Sequence, residues 1–579
     1  MCGIFGITIK TLNLKQIAVS GATLLCHRGP DNEGSWQNDH IKLEHSRLAI
    51  IDLSDSANQP FELVKGKVLV FNGEIYNFQE LREKWSNNGI TWNTNSDTEV
   101  LYRGLTKEGT KCLQKLNGMF AFGFYDSESN KILIVRDRYG IKPVYYYHDK
   151  SHFIFASEQK AIAKFTGWNS NLSNLSEYAV FKHVSGNKTM IEKIYELEPG
   201  HAAEFDVNKG ELRIWRWYDF VEQRVEEKID YKKLDNIIFD AVKRHLISDV
   251  PVGIQLSGGI DSSILAWYMS KIKKDDIKSF TITFPDSEFD ESKEAAETAK
   301  KFNFEHYEIP FTIRDFIEIW PKAIKFFDEP INHPHTLALF KLYQVAKNHV
   351  KVLLSGEGAD EVFLGYEHYK KSLTIDNFEE LRDFDKFLDY EIIKKYLNLD
   401  LVKKDEDYWG NKTKDAKFWI SKGISGISGF EFHHHLNTLL NRVDKMSMAH
   451  SIEVRVPFLD YKLAEFGLRQ NKNNLFKISN NKIERKIPLM KIFEKIFDKN
   501  LQTKGKIGFR VPFDQWIQTK YELRKFCCEI LSKSKKIKEL NNIEIEKLEK
   551  MLSLNNKLDE NQIRITWILT NYIMWRISL

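Results

Sequence analysis

At 579 residues the chain is too long for one compact core, and two large domains are expected. Hydrophobic residues make up 42% and aromatic ones 13%, which excludes a globally disordered chain. Net charge is only +4, from 85 basic and 81 acidic side chains, so nothing in the balance calls for nucleic acid as a partner.

The five cysteines (Cys2, Cys26, Cys112, Cys527 and Cys528) are odd in number and lack metal-ligand spacing. That usage offers no disulfide framework and suits a reducing compartment. The opening MCGIFGITIK has no basic segment followed by an apolar one, as a signal peptide would. No apolar run approaches the roughly 18–20 residues that span a bilayer. A cytoplasmic protein with no membrane partner is expected. The Lys-rich stretches at 491–506 and 532–550 alternate with Glu, Ile and Leu and suit solvated helical faces.

In chain order, residues 2–160 are dense in strand candidates: GIFGITI, KVLVFNG, FAFGFYD, KILIVRD, PVYYYH and FIFASE. Helical periodicity intervenes in places, as in LNLKQIAVSGATLL, giving an α+β layered pattern. From 216 to 232 the chain turns charged and loses strand character, so a boundary is set at 205–230, with domains at 2–210 and 230–579. Next, Leu234, Ile237, Ile238, Ala241, Val242, His245 and Leu246 share one helical face. PVGIQL (strand), a Gly-rich turn, SSILAWYMSKI (helix), KSFTITF (strand), a helix across 290–302 and the strand VKVLLSG follow. This alternation implies a parallel, doubly wound α/β sheet with ligands at the strand carboxyl ends. Beyond 365 the pattern is mainly helical.

Cys2 directly follows the initiator Met, and its small size permits methionine removal. A chain beginning with cysteine carries its own base, because an α-amine with pKa of about 8 sits beside a thiol of about 8.5. That amine can take the thiol proton and later protonate departing ammonia. Alone, Cys2 reads as an incidental residue at a frayed end, Asn72-Gly73 as a hairpin turn and Arg47 as a surface charge. Together with HRGPD (27–31), SRLAIID (46–52), FNGEIYN (71–77), SDTEV (96–100), NGMFAF (117–122), RDRYGIKPVYY (136–146) and ASEQKA (156–161), the pattern resembles the class II glutamine amidotransferases. The resemblance implies an N-terminal-nucleophile hydrolase fold, an α+β sandwich, over about 160 residues. It also implies an oxyanion hole at the Asn72 side chain and Gly73 N–H. Arg47 would hold the glutamine α-carboxylate, and Asp97, helped by Glu74, the α-ammonium.

SGGIDSS (257–263) lies between a strand ending in Leu256 and a helix, so its glycines let backbone N–H groups converge on phosphate oxygens. Without a Lys followed by Ser or Thr it is not a Walker A loop. It resembles the pyrophosphate loop of enzymes that split ATP into AMP and pyrophosphate. That resemblance implies ATP contacts at Leu256, Ser257, Gly258, Gly259, Asp261, Ser262, Ile282, Ser355 and Gly356. It further implies Mg²⁺ at Asp261 and Asp360, and proton handling at Glu357. RVDKMSMAHSIEVRVPFLD (442–460) resembles the asparagine synthetase signature, which implies an acyl-adenylate formed from a carboxylate and ATP and then amidated by ammonia. The two sites should be joined by a sheltered path.

Three features depart from the family pattern or leave it open. Leu364 stands where a glycine is usual, Lys486 lacks the arginine that normally follows a phosphate-facing lysine, and Asn332, His333 and His335 occupy the acceptor-side segment 329–344. Asp328 and Glu329 are candidates to meet an acceptor ammonium. The three histidines at 433–435 are expected on a polar helical face rather than at a metal. L-Aspartate is the favoured acceptor, with another carboxylate such as a sugar uronic acid as the rival. A non-catalytic glutamine- and ATP-sensing protein is disfavoured because both sites keep their reactive groups. A homodimer is allowed for.

Overall fold

The computed structural model describes residues 1–9, 20–87, 89–219, 228–273, 276–285, 288, 290–372, 386–396, 425–479, 482–497, 510–537, 540, 545–553 and 556–579. The expected helix at 12–25 falls largely outside them; its described end, Ala22–Leu25, is a 3₁₀ turn.

Two antiparallel sheets stack in the first part of the chain. One has the spatial order Asn32–Gln37, Ile41–Arg47, Gly3–Thr8, Phe153–Ala156, Tyr145–His148 and Tyr195–Glu196. The other runs Glu211–Arg216, His201–Asp206, Lys131–Arg136, Gly118–Asp126 and Lys67–Ile75. Strand residues alternate between faces, and here both faces are apolar. Ile4, Val70, Ala121 and Ile134 pack between the sheets. Phe71, Phe120 and Phe122 face outward against Leu81, Val100 and Leu101 of helices Phe78–Ser86 and Asp97–Glu108. On the opposite outer face, Phe5 and Ile7 meet Ala161, Ile162 and Leu175 of helices Gln159–Thr166 and Leu172–Phe181. The result is a helix–sheet–sheet–helix sandwich. The expected end of this unit at 210 falls at the tip of a hairpin, because Glu211–Arg216 pairs with His201–Asp206 and carries the sheet on to Arg216.

The second part is built on a five-stranded, wholly parallel sheet. Its order is Glu305–Pro310, Lys278–Thr283, Val252–Gln255, Val352–Leu354 and Glu453–Arg455. Helix Tyr231–His245 turns Leu234, Ile238, Ala241, Val242 and His245 inward, as the periodicity predicts. The chain winds outward from Val252–Gln255 in one direction, then returns to start the other half at Val352–Leu354. The crevice at the carboxyl ends of these two strands is the topological switch point where such sheets bind ligands. One continuous apolar cluster joins Phe5, Ala163 and Phe181 of the sandwich to Trp320, Leu337 and Trp567 beside the parallel sheet. No described helix is long and apolar enough to cross a membrane.

Candidate active sites

Cys2 immediately precedes the interior strand Gly3–Thr8, so the sheet rather than a loose terminus sets its position. Its backbone N–H donates to Asn72 Oδ1 at 2.9 Å. The side chain of Asn72 is fully buried, and its Nδ2 has no hydrogen-bond partner. A buried amide donor left without an acceptor is costly, and an oxyanion would satisfy it. Gly73 sits at φ +155°, and a Cβ there would come within 2.1 Å of the Met119 carbonyl oxygen, so only glycine admits this approach of the two strands. Burial raises the Cys2 thiol above its ordinary range, against the pull of the terminal ammonium and Arg47.

The glutamine-site candidates converge around this point. Arg47 Nη1 donates to the Ser54 carbonyl at 2.9 Å and to Asn58 Oδ1 at 2.7 Å, and Nη2 to the Asp52 carbonyl, which fixes the guanidinium against loop 52–58. Asp97 Oδ2 accepts from the Ile75 N–H at 2.9 Å, and burial lifts this carboxyl to about 6. Glu74 is raised well above the usual carboxylate range by burial and by the neighbouring Glu453 and Asp97. Met1 is itself buried, and its ammonium lies 3.3 Å from Glu453 Oε2.

The second site is a cavity of about 1270 Å³ at the switch point, walled by both glycine-rich loops. Ser257, Gly258, Gly259, Asp261, Ser262, Ser355 and Gly356 all line it. Gly259 caps helix Ile260–Ile272, so that helix directs its positive end into the cavity. A Cβ on Gly356 would lie 3.0 Å from the Asp261 Cβ, a measure of how closely the loops meet. Lys486 Nζ bridges Asp261 Oδ2 at 2.6 Å and Asp360 Oδ1 at 2.8 Å, and the two carboxylates hold this buried ammonium firmly protonated. Asp261 Oδ1 is buried without a hydrogen-bond partner. Two hard carboxylates with an orphaned oxygen, next to a phosphate-type loop, fit Mg²⁺ chemistry. Leu364 keeps a left-handed conformation at φ 57°, so the turn survives the loss of glycine.

Segment 442–460 links the two sites. On helix Ser425–Met448, Arg442 Nη2 donates to Glu357 Oε1 at 2.9 Å inside the cavity. Two residues on, Asp444 Oδ2 accepts from Arg28 Nη2 at 2.9 Å, and Arg28 Nε donates to the Cys2 carbonyl at 3.0 Å. On strand Glu453–Arg455, Glu453 meets the Met1 ammonium at 3.3 Å, and Arg455 Nη2 lies 3.6 Å from Glu74 Oε1. Asp460 accepts from Asn117 Nδ2 at 2.9 Å.

Other expected site residues lie elsewhere in the fold. Leu256 and Ile282 are buried behind the loop and are absent from the cavity wall, since strand packing absorbs both side chains. Asp328 and Glu329 are also turned away from it: Asp328 accepts from the Lys160 N–H at 3.3 Å and Glu329 from the Met190 N–H at 3.2 Å. His435 is not on a solvated face but in the cavity wall, its ring 6.4 Å from His333 and 6.0 Å from Tyr366. Among the described residues no group of three His, Cys, Asp or Glu could hold a metal. Lys182, Phe387 and Arg564 reach the same cavity from three distant parts of the chain, with no local motif to announce them.

The chain is similar to known proteins along almost its whole length. The family model described as asparagine synthase matches residues 233–576, and that described as glutamine amidotransferase domain matches 1–218. It is 30% identical to asparagine synthetase [glutamine-hydrolyzing] 1 of Bacillus subtilis, covering 92% of this chain and 90% of that protein. It is also 30% identical to asparagine synthetase B [glutamine-hydrolyzing] of Escherichia coli, over 90% of this chain and 84% of that one. A putative asparagine synthetase [glutamine-hydrolyzing] 2 of Methanocaldococcus jannaschii is 33% identical over 66% of this chain and 79% of its own.

Proposed function

The chain belongs to the asparagine synthase family of ATP-dependent, glutamine-hydrolysing ligases, and from that premise we propose that it moves the amide nitrogen of glutamine onto L-aspartate activated by ATP. The names of its relatives support this acceptor. Residues 2–210, extended by the hairpin to 216, form the glutamine domain, and 230–579 the synthetase domain. The observation that carries the reading is that one segment, 442–460, touches both reactive centres, at Glu357 through Arg442 and at Cys2 through Asp444 and Arg28.

At the first centre the Cys2 thiol attacks the glutamine amide carbon, and its proton passes to the Cys2 α-amine exposed by removal of Met1. The tetrahedral oxyanion is met by Asn72 Nδ2, the buried donor without a partner, and by the Gly73 N–H. Arg47 orients the glutamine carboxylate, while Asp97 and Glu74 receive its ammonium. Collapse returns the proton to the leaving nitrogen and releases ammonia; water then frees glutamate from the thioester. Leu48, Ile50, Met119 and Ile141, apolar and packed with Met1 at the junction of the domains, provide a sheltered beginning for ammonia's path.

At the second centre the 257–263 loop cradles the phosphates. The acceptor carboxylate displaces pyrophosphate from the α-phosphorus to give an acyl-adenylate, and ammonia then displaces AMP. Glu357, held by Arg442, manages the proton lost as ammonia adds. Lys486 faces the phosphates from between Asp261 and Asp360. Asp261 and Asp360 would hold Mg²⁺, which supplies charge neutralisation to the phosphates when bound.

The reading is tested by incubating the enzyme with aspartate, ATP and either nitrogen source. Glutamine should give asparagine, glutamate, AMP and pyrophosphate in equal amounts. Cys2→Ala should retain synthesis from ammonium alone. Absence of AMP with aspartate and ammonium would reject aspartate as the acceptor; loss of both nitrogen sources in a folded Cys2→Ala protein would reject two independent centres.

A further inference from the structure

We propose that Lys182 and His333 form the subsite that holds the acceptor's non-reacting anionic group, so that the first domain supplies a residue to the second domain's substrate site. This rests on the reading of the cavity as the site of acceptor activation. A line of contacts runs along the wall from the phosphate loop to Lys182. Glu357 pairs with Arg442 at 2.9 Å, Arg442 Nη1 donates to His335 Nε2, His335 stacks on His333 at 4.8 Å, and His333 Nδ1 lies 3.2 Å from Lys182 Nζ.

The hydrogen bonds fix the protons. An ammonium can only donate, so His333 Nδ1 is an acceptor and the ring carries its proton on Nε2. A guanidinium can only donate, so His335 accepts at Nε2 and carries its proton on Nδ1. Both imidazoles are therefore neutral between the Lys182 ammonium and the Arg442 guanidinium, in agreement with the depression of both by burial and by those cations. This stretch of wall presents donors and positive charge, with Glu357 committed to Arg442 at its inner end. An anion is the ligand such a wall selects. An acceptor with its reacting carboxylate at the phosphate loop would extend its second anionic group along this line.

Lys182 is also built into place. It caps the carboxyl end of helix Leu172–Phe181 in a left-handed conformation (φ 65°, ψ 7°), a backbone state uncommon for a residue with a side chain. Its ammonium lies 4.5 Å from the Phe387 ring centroid, and Arg564 approaches the same ring at 5.0 Å. The ring is itself tied down by the Phe387 N–H, which donates to the Val180 carbonyl at 2.7 Å. The side chain is thus supported from below while its tip reaches the cavity.

The test uses the full chain with Lys182→Met, which keeps the length of the side chain, and Lys182→Arg, which keeps the charge. Acceptor-dependent ATP–pyrophosphate exchange is measured with L-aspartate and, in parallel, with succinate and D-glucuronate; glutamine hydrolysis reports on folding. Lys182→Met should raise the KM for the active acceptor at least tenfold while the KM for ATP stays within twofold, and Lys182→Arg should recover most of the loss. An unchanged acceptor KM, or an equal rise in both KM values, overturns the subsite. If wild-type exchange occurs with another acid but not aspartate, the acceptor reading fails and the subsite is judged on that acid by the same ratio. Exchange with none of the three overturns both.

Discussion

Arg28 and Asp444 meet at 2.9 Å with both side chains shut away from solvent, one on the loop behind Cys2 and the other on the helix that carries Arg442. Arg28 also binds Glu158 Oε1 at 2.9 Å, and Lys142 Nζ approaches Asp444 at 3.6 Å, so the junction between the domains is a buried network rather than an isolated pair. Removing one partner of such a pair typically costs about 3–5 kcal/mol, because the remaining charge stays buried and uncompensated. Asp444→Asn should therefore lower the melting temperature by several degrees and disturb the Cys2 carbonyl through Arg28. The ratio of glutamate released to AMP formed should rise above one as the sites lose registration. A variant with unchanged stability and an unchanged ratio would show that the pair links nothing.

Much of the two sites was legible in sequence because their chemistry is carried by short local patterns. Cys2, Asn72, Gly73 and Asp97 converge as expected, as do the loops at 257–263 and 354–363. The strand at 211–216 was not legible because its burial alternates only weakly at a sheet edge, and that at 453–455 because Glu453 and Arg455 flank a single apolar residue and leave no apolar run. Asp328 and Glu329 looked suited to an ammonium, but Asp328 takes φ 63° at the helix end and the chain turns both carboxylates toward the first domain. Lys182 gave no signal: its place in the cavity depends on two domains packing, which no local pattern encodes.

Met1 occupies apolar space at the junction and its ammonium is engaged by Glu453 at 3.3 Å, so it is not available to Cys2 as a base. Protein produced while methionine removal is inhibited should lose glutamine-dependent synthesis in proportion to the retained Met1, read by intact mass. Ammonium-dependent synthesis should be unaffected. Full glutaminase turnover in a preparation that quantitatively keeps Met1 would refute the α-amine mechanism.

Asp97 is raised from 3.8 to about 6, principally by burial, and this has two consequences of opposite benefit. The native state holds the proton more tightly than the unfolded chain, so Asp97 lowers stability as pH rises from about 4 through about 6, and its effect levels off above that. Glutamine, in contrast, needs the ionised form to receive its ammonium. Asp97→Asn should thus raise the melting temperature at pH 8 relative to wild type but not at pH 4. It should also weaken glutamine kcat/KM by at least tenfold and flatten its rise between pH 5 and 7. Equal pH profiles for the two proteins would exclude Asp97 from glutamine binding.

Lys486 joins Asp261 and Asp360 through contacts of 2.6 and 2.8 Å while only 4% exposed, and it does so from a left-handed backbone at φ 46°. The same two carboxylates are the candidates for Mg²⁺, so the ammonium and the metal draw on one pair of anions. Without the lysine, two close carboxylates would repel each other, which destabilises the loops and leaves both oxygens for a divalent cation. Lys486→Met should abolish ATP–pyrophosphate exchange while sparing glutamine hydrolysis. Added Mg²⁺, in the absence of ATP, should raise the melting temperature of Lys486→Met more than that of wild type. Replacing Asp261 by Asn in the same background should remove that extra stabilisation. Equal Mg²⁺-induced shifts in wild type and Lys486→Met would mean that the metal does not share these carboxylates with the lysine, and its ligands would have to be sought elsewhere in the cavity.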